Sequence, residues 1–275
     1  MSPDRREYPF LAILILPILT VFTAFFVLPV AKLIVIGGSG ELGYGAYLSI
    51  LTTPRHFESL VATVVLSFTV TLTALAISSI SGVFLERNRF KGREALISML
   101  TFPLAFPGVV IGFLVIMLAG RQGLVKEITE ALFGAKLVFA YSMAGLFVGY
   151  LYFSIPRVIL TIMAAAEKLD PALEEAARSL GASRWRVIRD VILPALRPAL
   201  IASGAICFAT SMGAFGTAFT LATNIDVLPM TIYTEFTLNA NIAMAAALSI
   251  VLGLVTWVAL YAARSLAGST VAAAG

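Results

Sequence analysis

Six long apolar stretches alternate with short polar intervals along the chain. They cover approximately Phe10–Ile36, Leu60–Phe84, Ala95–Ala119, Leu137–Met163, Ala199–Ala222 and Ile242–Ala263. Each exceeds the ~18 apolar residues that mark a membrane-crossing helix. The pattern therefore predicts an all-α polytopic membrane protein with six transmembrane helices and a single membrane domain over residues 1–275. As a helix the first stretch would be about 40 Å long, enough to span with a tilt. It is too long for the apolar part of a cleavable signal peptide. Pro17 and Pro29 are expected to kink or end it.

The spans differ in what interrupts them. The second carries Thr63, Ser67, Thr71 and Ser78 among other hydroxyls, which in a membrane bond their own backbone or a neighbouring helix. The third contains Pro103 and Pro107 in TFPLAFPGVVIG. Prolines there remove backbone donors and interrupt the helix; such a break either surrounds a transport path or improves packing. A short interfacial helix is expected over Arg121–Lys136, and Pro156 and Arg157 fall near the end of the fourth span. The fifth is rich in small residues such as Ser203, Gly204, Ser211, Gly213 and Gly216, which permit close helix contact. Ser211, Phe215 and Thr217 of that span, with Pro103 and Pro107, are the candidate lining of a solute path. Asp226 and Glu235 fall in the interval before the sixth span.

The longest polar interval, Glu167–Pro198, holds five acids and six bases. Asp170 followed by Pro171 reads as an N-cap with proline at the first helical position. A helix to Leu180 should follow, ended by Gly181 in the left-handed region. Ser183 can cap a second helix to about Ile192, and Pro194 and Pro198 are expected to punctuate its exit. The interval is predicted to form a helix–turn–helix elbow between two spans.

This elbow resembles the EAA loop of the inner-membrane permease subunits of binding-protein-dependent ABC importers, written E-A-A, three residues, G, nine residues, I-x-L-P. Glu175, Ala176 and Ala177 are followed at that spacing by Gly181 and then by Val191, Ile192, Leu193 and Pro194. Val191 in place of isoleucine is the one departure. The resemblance implies a type I ABC importer permease-like fold in a bacterial inner membrane. It also implies that the elbow docks on a separate ATPase subunit. Glu175 would be the polar contact, Ala176, Ala177 and Leu180 the apolar face, Gly181 the bend, and Leu193 with Pro194 the return to the membrane.

Charge agrees with that orientation. The intervals sharing a side with the elbow, with Arg5, Arg6 and Arg264, hold 13 bases, and the opposite side holds five. The positive-inside rule places the elbow and both termini in the cytoplasm. Composition is 60% hydrophobic and 12% charged. The net charge of +4 thus reflects topology rather than nucleic-acid binding. The single cysteine, Cys207, cannot form an intrachain disulfide and is expected to pack. No G-x-x-x-x-G-K-[ST] binds ATP phosphates. His56, the only histidine, is expected to be solvated in an outer loop, so neither a histidine-based metal cluster nor a Ser/His/Asp triad is expected. The chain is expected to be no enzyme and to carry no cofactor, with ATP on a partner.

Leu104–Gly112 and Ser211–Thr217 look like third- and fifth-span patterns of permeases in the spermidine/putrescine, sulfate and molybdate branch. They imply a small polar solute, polyamine-like first, although a polycation site would call for carboxylates or aromatic cages and the chain offers no carboxylate at depth. The implied partners are a second permease subunit, identical or different, two ATPase subunits, a periplasmic or extracellular solute-binding protein, and membrane lipid. The competing reading is an autonomous ion-coupled secondary carrier, which would need an ion-coupling site among the spans.

Overall fold

The computed structural model describes residues 8–221 and 225–267; the polar start with Arg5 and Arg6, and the tail beyond residue 267, lie outside them. Helix α1 (Tyr8–Phe22) passes through a π turn at Thr23–Val27 into α2 (Leu28–Gly37), and α3 (Ala46–Thr52) precedes the long α4 (Pro54–Arg87). A 3-10 turn at Phe102–Ala105 separates α5 (Arg93–Thr101) from α6 (Gly108–Ala119). Then come α7 (Leu124–Phe133), α8 (Met143–Glu167), α9 (Pro171–Ser179), α10 (Arg184–Val187) and α11 (Leu193–Met212). The described chain closes with α12 (Phe215–Leu221), α13 (Leu228–Tyr233) and α14 (Ile242–Ala267). Among the described residues there are six helical stretches long and apolar enough to cross a membrane: Leu14–Gly37, Pro54–Arg87, Gly108–Phe133, Met143–Glu167, Arg184–Met212 and Ile242–Leu266.

Several expected boundaries move, each for a local reason. Pro29 and Pro194 do not end their helices. A π turn, Thr23–Val27 or Ile188–Ile192, closes two residues before each proline, with Leu28 N–H donating to Thr23 O and Leu193 N–H to Ile188 O. The wider turn displaces the carbonyls that a proline ring would strike. The second elbow helix consequently runs unbroken from Arg184 to Met212, with Pro198 inside it. The third predicted span is broken. Phe106 and Pro107 are extended, with ψ of 133° and 151°, as a residue before proline must be, and α6 restarts at Gly108. The fifth breaks at Gly213 and Ala214, between α11 and α12. The fourth begins at Met143 rather than Leu137, capped by Ser142, whose hydroxyl accepts from Gly145 N at 3.5 Å.

The chain falls into two compact units. The first comprises Met1–Phe57 and Thr231–Gly253. In it α3 lies in the interval between the first two spans, and Tyr47 donates to the Ile34 carbonyl at 2.8 Å. Gly37 lies against the Tyr47 ring and the Ala247 backbone, leaving no room for a Cβ. His56 is 8% exposed rather than solvated, and Glu235, expected in an outer loop, is equally buried. The His56 Nε2 lies 3.8 Å from the Glu235 carboxylate, which also accepts from Asn239 Nδ2 at 3.1 Å. A buried acid is tolerated where such partners surround it.

The second unit, Glu58–Met230 with Leu254–Gly275, holds the main core. Leu146, Tyr150, Val158 and Ile162 of α8 pack with Val115 of α6, Leu221 of α12, Val70 of α4 and the buried Cys207 of α11. The hydroxyls of α4 serve packing. Thr63 and Thr71 bond back to Ser59 and Ser67 at 2.7 Å, and Ser78 donates across to Ile155 of α8 at 3.2 Å.

Candidate functional site

The elbow is built by the caps its sequence predicts. The Asp170 carboxylate accepts from Ala172 N at 2.9 Å, with Pro171 at the first helical position. At the other end, Gly181 N donates to Arg178 O at 2.9 Å and Ala182 N to Ala177 O at 3.0 Å. These two bonds form a Schellman closure, and Gly181 has the required positive φ of +82°. Ser183 then accepts from Arg186 N at 3.4 Å, opening α10.

Helix α9 has two unlike sides. Glu174 is turned inward, its carboxylate 2.7 Å from the Arg87 guanidinium at the end of α4 and 3.6 Å from Arg178. Arg87 also reaches the Leu169 carbonyl at 3.4 Å. The interval from α4 to α5 is held in turn by buried Arg93, which donates to Leu85 O at 2.6 Å and pairs with Glu86 and Glu94. On the outward side Glu175 and Ala176 are exposed and Ala177 is half-buried; Gly181 after the helix and Leu193 and Pro194 at the start of α11 are exposed as well. Leu180 is 89% exposed. Leu173 and Trp185 are exposed as well and extend this apolar face. Sequence reasoning passed over both, although Leu173 lies one helical repeat before Leu180 and Trp185 is an aromatic flanked by arginines. The Arg87–Glu174 pair carried no comparable signal.

The breaks in the third and fifth spans face each other. A Cβ on Gly108 would meet Thr217 N at 3.1 Å, and one on Gly216 would meet Val109 N at the same distance. Only glycine lets the two backbones approach so closely. Carbonyls at the breaks are taken up by side chains. Thr217 Oγ1 donates to Gly108 O at 3.0 Å, Thr220 Oγ1 to Val109 O at 3.3 Å, and Tyr150 Oη to Ala214 O at 2.6 Å.

Beside these breaks lies a cavity of about 280 Å³. Pro103, Phe106 and Gly108 line it from the third-span break, Phe153 and Arg157 from α8, and Thr210, Ala214 and Thr217 from the fifth. Of the candidate path residues, Pro103 and Thr217 therefore meet at one cavity. Pro107 is exposed and caps α6, and Phe215 is 37% exposed outside the lining. Ser211 is fully buried in α11, and its hydroxyl has no hydrogen-bond partner among the described residues. Arg157 was missed. The sequence places it near a span end, whereas ten residues, roughly 15 Å of helix, separate it from the end of α8 at Glu167.

Residues 74–269 match the family described as binding-protein-dependent transport system inner membrane component. The chain is 37% identical over 179 residues to the molybdenum transport system permease protein ModB of Escherichia coli (strain K12), covering 62% of this chain and 77% of the relative. It is 35% identical over 193 residues to the sulfate transport system permease protein CysT of the same organism, 67% of this chain and 66% of that one. A putative 2-aminoethylphosphonate transport system permease protein, PhnU of Salmonella typhi, is 30% identical over 245 residues, 86% and 84% of the two chains. Among solved structures, a chain of a bacterial alginate ABC transporter, in complex with a periplasmic protein carrying an alginate pentasaccharide, superposes with a TM-score of 0.80. The identity is 19% over 96% of this chain and 95% of that one. A chain of the MetNI methionine ABC transporter gives 0.58 at 16% identity, over 77% and 94%. These two likenesses concern the fold alone.

Proposed function

The chain belongs to the binding-protein-dependent transport system inner membrane component family, and on that premise we propose that it admits a small oxyanion and takes its drive through the elbow. It is a multi-pass inner-membrane permease subunit of an ABC importer and not an enzyme. Such a permease works with an ATPase and a solute-binding protein, and hydrolysis takes place on the ATPase. The second permease subunit completes the path, as an identical or a different chain.

The division of α9 carries the coupling reading. Glu174 is committed to Arg87, so movement of the helix reaches the end of α4. Glu175, Ala176, Ala177, Leu180 and Gly181 remain to meet the ATPase, and Leu193 with Pro194 leads the force into α11. The 13-to-5 distribution of bases supports a cytoplasmic elbow and cytoplasmic termini.

The relatives named for molybdate, sulfate and 2-aminoethylphosphonate transport turn the cargo reading from polyamines to oxyanions. A polyamine would need a counter-charge, and among the described residues no carboxylate lines the cavity. The test is uptake into liposomes carrying the permease with and without its ATPase, with sulfate, molybdate and 2-aminoethylphosphonate as probes. ATP-dependent accumulation of one of these supports the reading. Gradient-driven transport by the isolated chain would mark an autonomous carrier, and accumulation of putrescine alone would return the cargo to polyamines.

A further inference from the structure

Arg157 is the charged residue among those lining the cavity at the two helix breaks. It is half-buried and makes no ion pair with any described residue. An arginine at this depth of a span is costly, and ordinarily it is paired or faces a water-filled pathway. Packing does not account for it, since apolar side chains could line the same wall. Two other shielded arginines of this unit, Arg87 and Arg93, are both paired with glutamates. Arg157 alone of the three keeps its charge for something that arrives.

The start of α6 lines the same cavity. The twelve-residue helix begins at Gly108 directly after the extended Phe106–Pro107 pair. Val110 and Ile111 N–H donate to the Pro107 carbonyl, which leaves the Gly108 and Val109 N–H groups as the first-turn donors without an intrahelical acceptor, at the positive end of the helix. Gly108 itself lines the cavity, with no side chain to cover them. Thr210 and Thr217 also line it; each hydroxyl donates to a backbone carbonyl, and its oxygen can still accept from a hydrated ion.

We propose that Arg157 and the Gly108 end of α6 form an anion-holding station within this chain, where a tetrahedral oxyanion pauses on its way between the outer and inner openings. The proposal rests on the oxyanion reading above and deepens it by naming the group that selects for negative charge. A planar guanidinium offers paired donors to two oxygens of one such ion. A single cation with a helix terminus suits a station that must also release its ion.

The experiment uses the assembled transporter, with ATPase, partner permease and binding protein, in liposomes. Uptake is measured separately for sulfate, molybdate, 2-aminoethylphosphonate and putrescine. Where the wild type imports an oxyanion, Arg157→Gln should lower its uptake by about tenfold or more, the worth of one charge-assisted hydrogen bond. ATP hydrolysis stimulated by loaded binding protein should persist. Arg157→Lys keeps the charge but loses the fork, and should raise KM more than it lowers the maximal rate. Should the glutamine variant fail to assemble, Arg157→Cys with Cys207 replaced by alanine offers a second route. A cationic methanethiosulfonate should restore oxyanion uptake to it, and a neutral one should not. Equal uptake by wild type and Arg157→Gln overturns the station and leaves the oxyanion reading standing. If that equality comes with loss of co-purifying phospholipid, the guanidinium serves a lipid phosphate instead. A wild type that imports putrescine and none of the three anions overturns both.

Discussion

The guanidinium of Arg87 sits 2.7 Å from the carboxylate of Glu174, joining the last residue of α4 to the first turn of α9. The pair is largely shielded from water, at 24% and 14% side-chain exposure, so it exceeds the small value of an exposed ion pair. Glu174 is also the first-turn acid of α9 and favours the positive end of its helix. Replacing Glu174 by glutamine should cost about 1–3 kcal/mol of local stability and loosen the elbow from α4. The expected result is ATP hydrolysis on the partner that no longer tracks solute uptake. Coupling ratios measured for Glu174→Gln and Arg87→Gln, alone and combined, check this. Additive losses would show that the two residues act separately.

Gly181 holds φ of +82° in open space, where a Cβ would meet nothing within 4 Å. The cost of Gly181→Val is thus purely conformational, about 1–2 kcal/mol. It should leave the spans inserted while the ATPase co-purifies poorly. Ala177→Asp, on the half-buried flank of the docking face, should act the same way through a charge forced against a packed surface. Normal co-purification and uptake for both variants would remove the elbow from the interface.

Orientation can be read with one exposed residue. A cysteine at Ser183, with Cys207 replaced by alanine, should react only with reagent that reaches the cytoplasm. Labelling of intact cells by an impermeant thiol reagent would invert the topology and detach the elbow from any ATPase.

Ser211 is fully buried with an unpartnered hydroxyl, so it belongs to the packing of α11 rather than to the cavity wall. Ser211→Ala should be neutral or stabilising by up to about 1 kcal/mol, with uptake retained. Ser211→Trp should reduce the amount of assembled protein through overpacking. Loss of uptake by a well-assembled Ser211→Ala would return this hydroxyl to the solute path.

Thr217 donates to the Gly108 carbonyl in the first turn of α6 and so ties the two breaks together. Thr217→Val keeps the shape and removes this bond between the breaks, while the carbonyl keeps its helical partner, at a cost of about 0.5–1.5 kcal/mol. A lowered thermal midpoint of the detergent-solubilised transporter checks it, with Thr217→Ser expected to recover most of the loss.

The number of spans, the elbow and its caps were legible in the sequence because each is written in consecutive residues. Apolar length sets a span, Asp170 before Pro171 sets a helix start, and Gly181 supplies a backbone conformation that other residues resist. Only the tertiary structure decided which identical neighbours do different work. Glu174 and Glu175 look alike in sequence, yet one residue of helix turns them about 100° apart, so one meets Arg87 and the other stays exposed. His56 and Glu235 each read as loop residues until folding buried them together. The π turns that carry helices past Pro29 and Pro194 were likewise hidden, because proline reports a missing donor and not how the preceding turn accommodates it. Arg157 was visible as a base, but its meaning depended on the opposed breaks at Gly108 and Gly216, more than a hundred residues apart. Local pattern fixes backbone conformation and polarity; which distant groups meet, and at what depth, follows from packing.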